Sequence, residues 1–337
     1  MTVFRGPKFR LAVIAAAGGA LAFYIFQSTG FQPILQATSA VGWRGFMVLC
    51  LYQFGLFVLL GTAWYVLLPA SCRARVPVFI WARMVRDATS ELLPFSHLGG
   101  IVLGTRTAMA QGVPQPVAFG SMATDITAEM LAQIAFTIVG IVILTASMPH
   151  NRMALSVTGS AVLGLMTLFA GCTAFAAFRR HGPALSRKLI LRLFPSAVPV
   201  TESVVSYIQA LYRRPAKVVL SAVLHSGGWV ASAVSTWIAL FLMGVHARAW
   251  DVLAIESIVC GARSVGFWVP NGLGVQEAAF AAVMPLFGIG AEIGLAVSIL
   301  KRARDIAVGV PILLLWQWSE SRKFLQIDGG AAHQRIQ

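Results

Sequence analysis

Asp87 and Glu91 stand four residues apart, and so do Asp125 and Glu129. On a helix each pair shares one face, about one turn apart. Two like charges so placed repel unless a proton, a cation or an arginine lies between them. The chain offers Arg83, Arg86, Arg106, Arg263 and Arg304 as counter-charges. The chemistry open to such groups is proton exchange, cation binding, or capture of a charged headgroup.

The surroundings sharpen the point. Of the twelve acidic residues, nine lie in or against apolar segments: Asp87, Glu91, Asp125, Glu129, Asp251, Glu256, Glu277, Glu292 and Asp305. An ionised group at the centre of a bilayer costs on the order of 3 kcal/mol even on lenient insertion scales. Asp125 falls about 12 Å along its helix from Val117, at a rise of about 1.5 Å per residue. These acids are therefore expected to face a protein interior, a wet cavity or one another.

The composition says what must carry them. The 337 residues are 58% hydrophobic and only 11% charged, where soluble domains run near a quarter charged. Apolar runs recur at Leu11–Phe26, Gly45–Leu68, Val117–Met148, Ser156–Phe178, Lys217–Met243 and Ala303–Trp318. An all-α polytopic membrane protein follows, with six full crossings, or up to eight if two irregular segments also cross. It reads as one membrane-embedded domain over residues 1–322, with residues 323–337 as a disordered tail.

The net charge is +14, and arginine supplies 21 of the 26 basic residues. They collect at the ends of apolar runs, which marks topology and contact with anionic headgroups rather than nucleic acid. The N-terminus, the segment near residue 75, the basic segment 179–217 and the C-terminus are rich in them, which places both termini in the cytoplasm. Within 179–217 a short surface helix and a solvated loop are equally open. The four cysteines are scattered singly, so neither disulfides nor structural zinc is expected. With no HExxH, GxSxG or Walker loop, no catalytic residue, cofactor or metal is assigned.

Two segments break the apolar pattern. The first is "ELLPFSHLGGIVLGTR", with Pro94, Gly99, Gly100 and Arg106; the second, "RSVGFWVPNGLGVQEAAF", holds Arg263, Pro270, Gly272, Gly274 and Glu277. Proline removes an amide donor and glycine loosens the backbone, so each should break a helix. Broken backbone at membrane depth survives only where protein or water covers it. By the charge count the first enters from the cytoplasmic side and the second from outside. The expectation is an inverted repeat of two re-entrant hairpins, their helix starts aimed at a common polar region. His97 is more often an interfacial hydrogen-bonder at such a bend than a proton shuttle.

"DATSELLPFSHLGGIVLGTR", "GVPQPVAFGSMATDITAEMLAQIAF" and "PNGLGVQEAAF" together resemble the lysylphosphatidylglycerol synthase transmembrane (flippase-like) family, and within it the hopanoid-biosynthesis-associated branch. The resemblance implies a multi-pass protein of the bacterial inner membrane that moves lipids between leaflets, without the synthase's transfer activity. It carries Glu91, Pro94, Gly99, Gly100 and Arg106 onto the first motif. Asp125 and Glu129 fall on the helix that follows, and Pro270, Gly272, Gly274 and Glu277 on the second motif, where Asn271 replaces a more usual glycine. Arg263, Arg304, Asp305 and Asp87 join them as candidate pathway residues, with Phe95, Phe267 and Trp268 as an apolar flank. The implied partners are membrane lipids, either a hopanoid or an anionic phospholipid, together with lipid-biosynthesis or export proteins. A non-catalytic partner of such a complex and an intramembrane enzyme remain as alternatives.

Overall fold

The computed structural model describes residues 31–93, 97–147, 152–193, 198–265 and 274–334. Pro94, Phe95, Phe267, Trp268, Pro270, Asn271 and Gly272 lie outside the described residues, as does the side chain of His97. The described chain is all helix: α1 Phe31–Ala40, α2 Gly42–Tyr65, α3 Val76–Leu92, α4 His97–Met109, α5 Gln115–Ser147, α6 Arg152–Leu193, α7 Val198–Tyr212, α8 Pro215–Leu242, α9 Ala249–Val265, α10 Val275–Val283 and α11 Ala291–Gln334. A 3₁₀ turn, Met284–Phe287, follows α10.

This is an all-α polytopic membrane protein. Four helical stretches are long and apolar enough to cross a bilayer: α2, α5, Leu155–Ala174 within α6, and α8. Their outward faces carry large exposed apolar side chains such as Leu51, Val142, Leu163 and Val223, a coat that only hydrocarbon tolerates. α6 runs unbroken from Arg152 to Leu193, so its last turns take up the first part of the basic segment as helix. α11 continues to Gln334, over residues that the sequence reads as a tail.

Local signals place the helix ends. Pro77 and Pro215 sit in the first turns of α3 and α8, where the missing amide costs nothing. Leu93 is extended (φ −95°, ψ 130°), as the residue before Pro94 must be, and α3 stops there. Gly274 caps the start of α10, and its φ of +81° belongs to glycine.

α3 and α4 fold back on each other. A Cβ at Gly100 would meet Ser90 Oγ and Arg86 O, and one at Gly104 would meet Arg86 Cβ and Ala82 O, so the two helices run antiparallel in close contact. Cys72 and Ala74 before α3, Met109 at the end of α4 and Val113 after it share one apolar cluster, at the end where Lys217 reaches the Leu68 carbonyl. α9 starts from the other end, beside the Met243 turn. α10 returns there: Ala281 packs with Met243, Ile34 and Leu295, and a Cβ at Gly294 would meet Phe280 O at 2.7 Å. Two helix pairs thus enter the bundle from opposite ends.

The halves match element for element. The order long helix, 17-residue helix, short helix, long helix holds for α2–α5 and again for α8–α11. Each half leans on the other: α3 packs on α11, α9 on α5, α1 on α11 and α7 on α5, while α2 and α8 pair directly. Between helices in hydrocarbon there is little hydrophobic drive, so close approach and interhelical hydrogen bonds hold the bundle. Trp64 is fully buried edge-on to Phe79 (5.0 Å) and donates to Ser121 Oγ (3.0 Å), which ties α2, α3 and α5 together.

Among the described glycines, the closest approach to another helix's backbone is that of α6 on α9. A Cβ at Gly164 would stand 1.9 Å from the Gly261 carbonyl oxygen, whereas one at Gly159 meets nothing within 4 Å. Gly164→Ala is expected to cost about 1–3 kcal/mol by forcing these backbones apart, and Gly159→Ala to cost nothing measurable. Thermal unfolding of the two variants in detergent checks the contrast; equal melting temperatures would contradict the packing.

Candidate functional site

Seven of the nine acids of the apolar segments pair with cations. In the first group, Arg83 and Arg86 of α3 face Asp125 and Glu129 of α5. Arg83 donates from Nε to Asp87 Oδ2 (2.7 Å) and from Nη2 to Glu129 Oε1 (2.8 Å), with Nη1 3.4 Å from Asp125 Oδ2. Arg86 reaches Asp125 Oδ2 (3.1 Å) and Glu129 Oε2 (2.7 Å). His225 of α8 adds Nε2 at 2.9 Å from Asp125 Oδ1. Three carboxylates meet two guanidiniums and one imidazole, nearly all out of water. Planar guanidinium suits this bridging, because one fork can serve two carboxylates.

The second group sits in the other half. Glu256 of α9 accepts from Lys301 Nζ of α11 (2.5 Å), from Ser232 Oγ (2.8 Å) and from Thr236 Oγ1 (2.7 Å) of α8. Its place is equivalent to the first. Arg83 lies seven residues past the start of α3, and Glu256 seven past the start of α9. Asp125 and Lys301 both lie ten past the starts of α5 and α11, and Glu129 and Asp305 both lie fourteen past. The same two positions form an ion pair in each half, with the signs exchanged.

Between the halves lies a small open cleft, lined by Gln53 and Phe57 of α2, Asp87, Ala88 and Glu91 of α3, and Asp305, Val308 and Gly309 of α11. Each of its carboxylates has an arginine beside it. Asp87 holds Arg83, and Asp305 accepts from Arg304 Nε and Nη2 at 3.0 and 2.8 Å. Arg304 also reaches Ser235 Oγ (3.2 Å). Glu91 takes Arg263 Nη2 at 3.3 Å. That last pair joins the final turns of α3 and α9, so the ends of the two interrupted helices come together. It is also the most exposed of the cleft's pairs, its side chains 34% and 35% exposed.

Two candidate residues stand apart from this cleft. Arg106 is half-exposed near the end of α4 and pairs with Glu320 of α11 (3.2 Å). Glu277 is buried against α11, where it accepts from Arg302 Nε (2.5 Å) and Ser298 Oγ (3.2 Å). Its other oxygen takes the Gly274 amide (2.8 Å), so the positive end of α10 is occupied by the chain's own carboxylate. Gly99 and Gly100 lie in the first turn of α4; Gly100 acts there by its closeness to α3. Among the described residues, no group of three or more His, Cys, Asp or Glu is arranged to hold a metal ion.

His225, Lys301 and Arg302 have no place among the residues singled out from sequence. A signal for His225 exists: Lys217, Ser221, His225, Ser232 and Thr236 recur along one face of the apolar helix α8.

Residues 9–312 match the family model described as lysylphosphatidylglycerol synthase TM region. The chain belongs to this family. No curated protein and no solved structure matches it. Family membership ties the chain to a membrane function concerned with lipids, and the paired halves, with charged groups buried between them, are how this member builds that region.

Proposed function

We propose that the chain moves lipid between the leaflets of the bacterial inner membrane, with the cleft between its halves as the seat of the headgroup. The lipid is a hopanoid or an anionic phospholipid, its apolar body riding beside the exposed faces of the bundle while its polar end meets the cleft. Both termini lie in the cytoplasm, and α3–α4 and α9–α10 are re-entrant pairs from opposite leaflets.

One observation carries this. The Glu91–Arg263 pair links the final turns of α3 and α9, spans 3.3 Å, and is the most exposed of the charged pairs that border the cleft. A headgroup that offers its own acceptor to Arg263, or donor to Glu91, can replace a weak internal contact at little cost. Shorter pairs deeper in the halves hold the walls while that one opens.

The test is transbilayer movement of fluorescent-headgroup lipid in liposomes. Wild type should exceed empty vesicles, and Glu91→Gln and Arg263→Gln should each slow movement about tenfold, the loss of one charge-assisted bond. Movement no faster than in empty vesicles ends the proposal. A change in the lipid's mass would instead mark an enzyme.

A further inference from the structure

Among the described residues, two buried polar atoms on one face of α8 have no hydrogen-bond partner: Ser221 Oγ and His225 Nδ1. Both residues are nearly inaccessible, at 0% and 1% exposure. They stand one helical turn apart, and Lys217, one turn before Ser221, reaches the Leu68 carbonyl at the basic end of the bundle. An unpartnered hydroxyl and an unpartnered imidazole nitrogen are costly to bury, and a small donor–acceptor species such as water or hydronium satisfies both.

The other ring nitrogen of His225 is already committed, at 2.9 Å from Asp125 Oδ1. Asp125 in turn bridges Arg83 and Arg86. With His225 neutral, the three carboxylates and two guanidiniums of this group leave one negative charge uncompensated. One bound proton removes it. We infer that His225 and Asp125 form a proton-binding site, filled from the basic end past Lys217 and Ser221.

The proton comes from hydronium in bulk solvent. A water seated between the two gives a proton to Nδ1 and takes one from the Ser221 hydroxyl, which takes another from water on its far side, so no bond is left open. The imidazole then carries two N–H groups and shares the second with Asp125. Charged neighbours on every packed helix bear on this step. From α5 come Asp125 and Glu129, and from α3 Arg83, Arg86 and Asp87. α9 offers Glu256 through Ser232 and Thr236, and α11 offers Lys301 and Arg304 through Thr236 and Ser235. α2 offers the Tyr52 hydroxyl, bonded to the Ala231 carbonyl, and α7 the Tyr207 hydroxyl, bonded to the Leu67 carbonyl.

Binding has a route to the cleft. A proton shared with Asp125 weakens that carboxylate's hold on Arg83 and Arg86, and Arg83 then leans further on Asp87, which lines the cleft. This coupling rests on lipid movement as proposed above; proton binding itself does not.

Two readouts separate the two. First, ¹⁵N-histidine spectra of the purified protein in detergent are followed from about pH 5 to pH 8, where imidazole titrates. Among the signals of the six histidines, one that titrates in wild type should be missing from His225→Gln, which keeps a donor to Asp125 and cannot take up the proton. If the His225 signal stays constant across the range, the site is refuted. Should His225→Gln fail to fold, Ser221→Ala is expected to move the midpoint of that signal, and an unmoved midpoint refutes the relay. Second, lipid movement in vesicles should differ about fivefold or more between the two ends of the range in wild type, and be flat in His225→Gln. A pH-insensitive wild type overturns the coupling. Absence of movement at every pH overturns the transport proposal instead, and leaves proton binding to the spectra.

Discussion

Replacing Arg83 by methionine is expected to remove about 3–5 kcal/mol of stability, enough to abolish most folded protein in detergent. The side chain is buried and touches Asp87, Asp125 and Glu129 at once. Methionine fills comparable volume, so the loss is electrostatic rather than a cavity. Arg86 is left to face three carboxylates alone. Adding Glu129→Gln to Arg83→Met removes one of the stranded charges and should recover part of the loss. Fluorescence-detected size exclusion and thermal unfolding of the single and double variants give the coupling directly. If Arg83→Met melts like wild type, the group is not the closed ionic unit described here.

The second large effect tests the equivalence of the halves. Glu256→Lys puts two ammonium groups together in a buried site, and Lys301→Glu does the same with two carboxylates; each should cost several kcal/mol and leave little folded protein. Combining them restores an opposite pair with its signs exchanged. Ser232 and Thr236 can turn their hydroxyls to accept as readily as to donate, so they serve the exchanged pair too. The double variant is expected to regain most of the folded yield. A double variant no better than the singles would show that the surroundings, not the pair, dictate the sign.

Much of this was open to inspection along the chain. Acids four apart in apolar helices are costly enough to announce company, and Asp87 and Asp125 do have it. Pro94 with its extended predecessor Leu93 marks the end of α3 by backbone sterics alone. What the residues cannot announce is who the company is. Arg83 and Arg86 meet Asp125 and Glu129 only because α3 crosses α5 at that height, a matter of tertiary packing. The same holds for Arg106, which sits in the first motif beside Gly104 yet turns toward Glu320, more than two hundred residues away. His225 hid because a single imidazole in an apolar run has no period of its own; its stripe emerges only when Ser221, Ser232 and Thr236 are counted with it.

The exchanged signs of the two halves bear on how the chain assembles. α3 and α9 are the same length; α3 packs on α11 and reaches α5 through Arg83, while α9 packs on α5 and reaches α11 through Glu256. Length alone does not tell them apart. Charge sorts them: seated in the wrong berth, Arg83 would confront Lys301 and Glu256 would confront Asp125. Two helices of equal length are thereby each held to one partner, and paired halves keep a single way of closing.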